Sequence, residues 1–100
     1  MEEVVIRLNQ KNHGAFYLMV DNEQAGEMVI GIEGDVLTAY HTEIHYTQEG
    51  KGLAKHLLDG MVAYAREHKL KVRPLCAYVH AQFKRHPEEY ADIWLQQDEK

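Results

Sequence analysis

The hydrophobic pattern of this chain changes period halfway along. Glu3-Val4-Val5-Ile6-Arg7-Leu8-Asn9 alternates and is β-branched, which predicts a first strand. Asn12-His13-Gly14 reads as a turn, Ala15 to Val20 as a second strand and Asp21-Asn22 as another turn. Ala25 to Ile32 suits a third strand, Glu33-Gly34-Asp35 turns again, and Val36 to Ile44 suits a fourth. Spacings this short fit an antiparallel meander. On the fourth strand Leu37 and Ala39 point one way while Val36, Tyr40 and Ile44 point the other. A strand apolar on both sides is expected inside a sheet covered on both faces.

From Leu53 the period becomes helical. Leu53, Ala54, Leu57, Leu58, Met61, Val62 and Ala65 form one stripe on a helix running to about His68, with Lys55, Asp59, Arg66 and Glu67 at solvated angles. Leu70 to Cys76 predicts a fifth strand, whose pairing must weaken near Pro74 because proline has no N–H. A second helix is expected over Tyr78 to Arg85. Pro87-Glu88-Glu89 opens a third, with proline in the first turn and acids at the positive helix end. Trp94 and Leu95 supply apolar groups to pack it down, and the tail from 96 to 100 reads as loose. The expected class is α+β, in a single domain over residues 1–100.

Composition narrows the setting. One hundred residues with 45% hydrophobic and 27% charged positions make one ordinary core. No apolar run is long enough to cross a bilayer, and Met1-Glu2-Glu3-Val4 lacks the basic start of a secretory leader, so the expectation is a cytoplasmic protein without a membrane partner. The lone cysteine, Cys76, excludes an intrachain disulfide and a thiolate metal cluster. A formal charge of −5 argues against generic binding to nucleic acid but leaves room for a small anion held by a local cluster of donors.

Three features carry candidate chemistry. Gly50-Lys51-Gly52, after the fourth strand and ahead of the long helix, exposes backbone N–H groups at the positive end of a helix dipole. It is either a phosphate cradle or a tight turn. No nucleoside-triphosphatase loop is present, and four consecutive strands at the start argue against a dinucleotide fold. Cys76 is either a small buried hydrophobe or a nucleophile, the latter needing a cation or the helix start near Tyr78 to favour its thiolate. His41 and His45 share a strand face with Glu43. Same-face neighbours lie about 6.6 to 7 Å apart and the two histidines twice that, so one ion could not reach both without a strand break. No metal site is expected.

Taken in order, His41-Thr42-Glu43-Ile44, Gly50-Lys51-Gly52-Leu53-Ala54, Cys76 with Tyr78, and His86-Pro87-Glu88 resemble the short, single-domain branch of the GCN5-related N-acetyltransferase (GNAT) superfamily, over about residues 14 to 92. The resemblance implies a mixed, mostly antiparallel sheet whose fourth and fifth strands splay, with acetyl-coenzyme A wedged between them. It implies that backbone around Ile44 pairs with the pantetheine arm. N–H groups from Glu49 to Ala54 would hold the pyrophosphate, making Gln48, Glu49, Gly50, Lys51, Gly52, Leu53 and Ala54 the cofactor-binding loop. Cys76 and Tyr78 would lie near the thioester, Cys76 as transient acetyl acceptor or as pocket wall.

The implied activity is acetyl transfer from acetyl-coenzyme A to an amine on a small molecule or protein. His41 is the candidate general base, since imidazole titrates near neutrality; its alternative is a hydrogen-bonded core histidine. Larger members place acceptor-site helices between the first two strands, where this chain has only Gln10 to His13. Three positions depart from the superfamily pattern: Thr47 for a Gln or Arg, Glu49 where arginine is common, and Gln82 where an aromatic residue is expected. The Glu49 carboxylate would repel a pyrophosphate. The alternative reading is a non-catalytic module that binds coenzyme A or acyl-coenzyme A and acts through protein contacts.

Overall fold

The computed structural model of the protein describes residues 1–45 and 52–96. Strands β1 (Glu2–Leu8), β2 (His13–Val20), β3 (Glu23–Glu33) and β4 (Val36–Ile44) form an antiparallel meander, and β5 (Lys71–Pro74) joins β4 in parallel. Turn chemistry sets the hairpins. Asp21 and Asn22 both adopt positive φ, 51° and 70°, as a two-residue loop matched to strand twist requires. Between β1 and β2, the Asn9 side chain accepts N–H bonds from Lys11 and His13 at 2.8 and 3.1 Å.

Helix α1 (Ala54–Glu67) lies across β1 to β4 and buries Leu57, Leu58, Met61, Val62 and Ala65. Its start carries no side-chain cap. A cap contributes about 1 kcal/mol, whereas each large apolar side chain buried contributes about 1.5–3 kcal/mol, so burial holds this helix. At Gly60 the helix comes so close to β1 that an added Cβ would meet Val4 Cγ1 at 2.8 Å. Helices α2 (Ala77–Arg85) and α3 (Pro87–Tyr90) bring Val79, Phe83 and Tyr90 into the same hydrophobic cluster. The result is the expected α+β fold, a mostly antiparallel five-stranded sheet with one long and two shorter helices.

Three local expectations are corrected. Tyr40 is a β-bulge: Ile30 pairs with Ala39 but Val29 pairs with His41. The extra residue resets the side-chain alternation, so Thr42 and Ile44 return to the face of Leu37 and Ala39, and Ile44 does not share a face with Tyr40. Tyr40 is 48% exposed, and His41 and Glu43 on the face away from the core are open to solvent, so β4 is not covered on both sides along its length. The fifth strand is shorter than Leu70 to Cys76, because pairing ends at Ala39↔Pro74. Trp94 and Leu95 lie beside β5 as well as following α3: Val72 N–H donates to the Ile93 carbonyl at 2.6 Å and Leu95 N–H to the Val72 carbonyl at 2.9 Å, while Trp94 N–H donates to the Tyr90 carbonyl of α3 at 2.9 Å. Among the described residues no helix is long and apolar enough to cross a membrane.

Candidate active site

The site begins where β4 and β5 part. Their ladder runs from Val36↔Lys71 to Ala39↔Pro74, and β4 then continues to Ile44 without β5 beside it. Backbone direction along this free stretch follows from one bond. His45 N–H donates to the Ala25 carbonyl at 2.8 Å, so His41, Glu43 and His45 direct their backbone groups toward β3. Alternation then turns the N–H and C=O of Thr42 and Ile44 away from β3 and into the gap. The backbone of Ile44, which the resemblance implies would pair with a pantetheine arm, thus faces this gap.

Cys76 closes the apex of this gap. It is the residue capping α2, with extended φ and ψ, and is 4% exposed. Its N–H donates to the Ala39 carbonyl at 2.7 Å, and its Sγ lies 3.2 Å from Thr42 Oγ1. One residue therefore ties the start of α2 to β4 on both sides of the bulge. Tyr78, on the first turn of α2, is half-buried. Burial pushes its phenol above the usual tyrosine range, with the Lys55 cation on α1 opposing. The phenol therefore stays protonated at neutral pH and can donate. Gln82 follows one turn later on α2, also half-buried. Lys55 itself is held by Asp59, donating to its two carboxylate oxygens at 2.9 and 3.2 Å.

The start of α1 has the electrostatics of an anion site. Gly52 adopts φ of 69°, and Leu53 caps the helix with no side-chain acceptor and no acid in the first turn. Among the described residues the bonds in this turn are Lys55 N–H to the Gly52 carbonyl at 3.4 Å and His56 N–H to the Leu53 carbonyl at 3.0 Å. The positive end of the dipole is thus left without a protein carboxylate among the described residues. Gly52, Leu53 and Ala54 lie at this helix start. Gln48, Glu49, Gly50 and Lys51 lie outside the described residues.

His41 stands on the other face of β4 from Thr42 and Cys76. Its side chain is 64% exposed, so it is not a core histidine. Nε2 lies 3.9 Å from Glu43 Oε1. The two side chains lean together across strand positions that backbone spacing alone puts about 7 Å apart. The structure thus gathers Ile44, Cys76 and Tyr78 around the gap and sets His41 on its exposed side. Sequence reasoning missed Thr42 as the partner of the Cys76 thiol. The bulge hides it, because an uninterrupted strand would turn Thr42 away from that side.

The domain is a small α+β fold whose mixed sheet opens between a parallel strand pair, with an uncapped helix start at α1. Residues 15–93 match the family model of the GCN5-related N-acetyl-transferase, and the chain belongs to this family. Solved structures share the fold. A GCN5-like protein of Staphylococcus aureus superposes with a TM-score of 0.67 at 23% identity, covering 94% of this chain and 90% of that one. A ribosomal-protein-alanine N-acetyltransferase from Brucella melitensis biovar Abortus 2308 gives 0.64 at 20% identity, covering 91% and 67%. An aminoglycoside acetyltransferase from an uncultured soil metagenomic sample gives 0.60 at 15%, covering 92% and 65%. No curated protein matches the sequence. The family supports acetyltransferase activity.

Proposed function

We propose that the protein transfers an acetyl group from acetyl-coenzyme A to an amine within the gap between β4 and β5. The observation that carries this reading is the pair of backbones at Thr42 and Ile44 that face away from β3, with no strand on that side among the described residues. The two amides of a pantetheine arm can complete that edge as an added strand would. The helix start at Gly52, Leu53 and Ala54 suits the pyrophosphate, with Gln48, Glu49, Gly50 and Lys51 completing the loop. The thioester then reaches Cys76 and Tyr78.

Donor and acceptor would approach from opposite faces. The coenzyme occupies the side of Cys76 and Tyr78, and the amine enters from the exposed face where His41 and Glu43 stand. The amine nitrogen attacks the thioester carbonyl and its proton passes to the His41 imidazole. A β4 N–H such as that of Thr42 stabilises the developing oxyanion. The C–S bond breaks, and the departing thiolate takes a proton from the Tyr78 hydroxyl. Cys76 serves as the wall of the thioester pocket.

The test is release of coenzyme A thiol from acetyl-coenzyme A with small amines and with peptides bearing free α-amino or lysine groups. Amine-dependent release supports the proposal. A His41→Gln variant should lower turnover by about 10²-fold, the scale of a lost general base, while keeping the melting shift that coenzyme A induces. One observation favours the non-catalytic alternative: among the described residues the Cys76 thiol is hydrogen-bonded only to Thr42, and His41 lies across the sheet from it. Saturable coenzyme binding with no amine-dependent thiol release would establish that alternative.

A further inference from the structure

Beside β5 lies a pocket of about 330 Å³ that the acetyl-transfer chemistry does not use. Arg73 and Pro74 of β5 and Leu75 after it line the pocket together with Trp94, Leu95 and Gln96 and with His80 of α2. The walls are fixed without a ligand. The backbone bonds from Val72 to Ile93 and Leu95 set the strand spacing. The Trp94 indole meets the Phe83 and His80 rings at centroid distances of 5.5 and 6.1 Å. Leu75 adds apolar surface that is 61% exposed.

Arg73 gives the pocket its sign. Its guanidinium donates once, to Thr38 Oγ1 at 3.3 Å, and among the described residues no carboxylate lies within ion-pair distance of it. A guanidinium is always charged and presents five donors in a planar fork that matches a carboxylate. Here that fork is half-buried, already oriented by Thr38, and set among an indole and aliphatic walls.

We propose that this pocket binds a small carboxylate with an apolar body, the carboxylate on Arg73 and the hydrocarbon against Trp94, Leu75 and Leu95. The volume is that of a small-ligand site, and the mix of apolar walls with one convergent charge is the usual composition of such sites. Arg73 is the one arginine or lysine among the lining residues, whereas a phosphate dianion calls for more than one fixed charge. The pocket borders the mouth of the coenzyme gap at Pro74 but is lined by none of Thr42, Ile44, Cys76 and Tyr78, and the proposal does not depend on the acetyl-transfer reading.

Trp94 is the chain's single tryptophan, so its emission reports on the pocket directly. Titration with cyclohexylacetate should produce a saturable change in Trp94 fluorescence. Cyclohexylacetamide, equal in shape but uncharged, should bind at least about tenfold more weakly, as loss of a charge-assisted bidentate contact implies. Arg73→Gln should weaken cyclohexylacetate binding to the same degree with an unchanged far-ultraviolet circular dichroism spectrum. Equal responses to acid and amide, or no saturable response to the acid at tens of millimolar, would overturn the proposal. The comparison of acid with amide uses the native chain and stands even if the variant fails to fold.

Discussion

Cys76 sits where three constraints meet: the start of α2, the last paired residue of β4 and the hydroxyl of Thr42. Its burial and its side-chain hydrogen bond to Thr42 fit a wall better than an acyl carrier. Cys76→Ala should therefore cost about 1 kcal/mol of stability, the scale of one lost side-chain hydrogen bond and a small contact. It should keep turnover within tenfold and yield no acetylated protein by mass spectrometry in the native enzyme. Complete loss of turnover with intact coenzyme binding would restore the acceptor role. Tyr78 was legible from sequence as a neighbour of Cys76, but its protonation was not, since that depends on burial against α1 and on Lys55.

At the level of elements, the free edge of β4 makes a sharp prediction for amide exchange. His41 and Glu43 face β3 and should be protected with or without coenzyme. Thr42 and Ile44 should exchange quickly alone and become protected when acetyl-coenzyme A binds, because the pantetheine arm and the thioester carbonyl then take their partners' place. Uniform behaviour of all four amides would contradict the backbone assignment. Gly26 supports the same edge: an added Cβ would meet Ile44 Cδ1 at 2.6 Å and the Glu43 carbonyl oxygen at 2.8 Å. Gly26→Val should destabilise the fold by about 1–3 kcal/mol, as overpacking does, and weaken coenzyme binding by shifting Ile44.

The four meander strands and α1 were readable because alternation and helical spacing encode burial locally. Val36 to Ile44 matches β4 end to end, and α1 ends at Glu67 with His68 as its cap. The bulge at Tyr40 was not readable. It depends on how β4 registers against β3, and Val36-Leu37-Thr38-Ala39-Tyr40-His41 contains no glycine or proline to mark it. The same is true of Trp94: its place beside Val72 depends on the tertiary pairing of the chain with β5 and on the indole meeting Phe83 and His80 of α2. The candidate site was legible as a set of residues, whereas its division between two faces of one strand was not.

Across the whole molecule, the C-terminal segment is tied back to α1. Arg66 donates to both carboxylate oxygens of Asp92, at 2.9 and 3.2 Å, and to the Glu89 carbonyl at 2.8 Å. The guanidinium holds the Asp92 carboxyl below its ordinary value of 3.8. A depressed carboxyl contributes stability above its unfolded value and loses it as pH falls through the folded one. Both side chains are more than 40% exposed, so screening limits the contribution to a few tenths of a kcal/mol up to about 1 kcal/mol. Asp92→Asn should lower the melting temperature at pH 7, and the difference should fade as pH falls below about 4. A constant difference across that range would assign the effect to packing.

The formal charge of −5 means that long-range attraction does not draw an anionic coenzyme to this protein. Binding must come from oriented backbone donors at the β4 edge and the start of α1. A thermal-shift titration with acetyl-coenzyme A tests that most directly. Ligand at 100 times its dissociation constant adds about 2.7 kcal/mol to the native state, which for a domain of this size raises the melting temperature by on the order of 10 °C. A saturable rise of that order is expected. An unchanged melting temperature at millimolar acetyl-coenzyme A would contradict it.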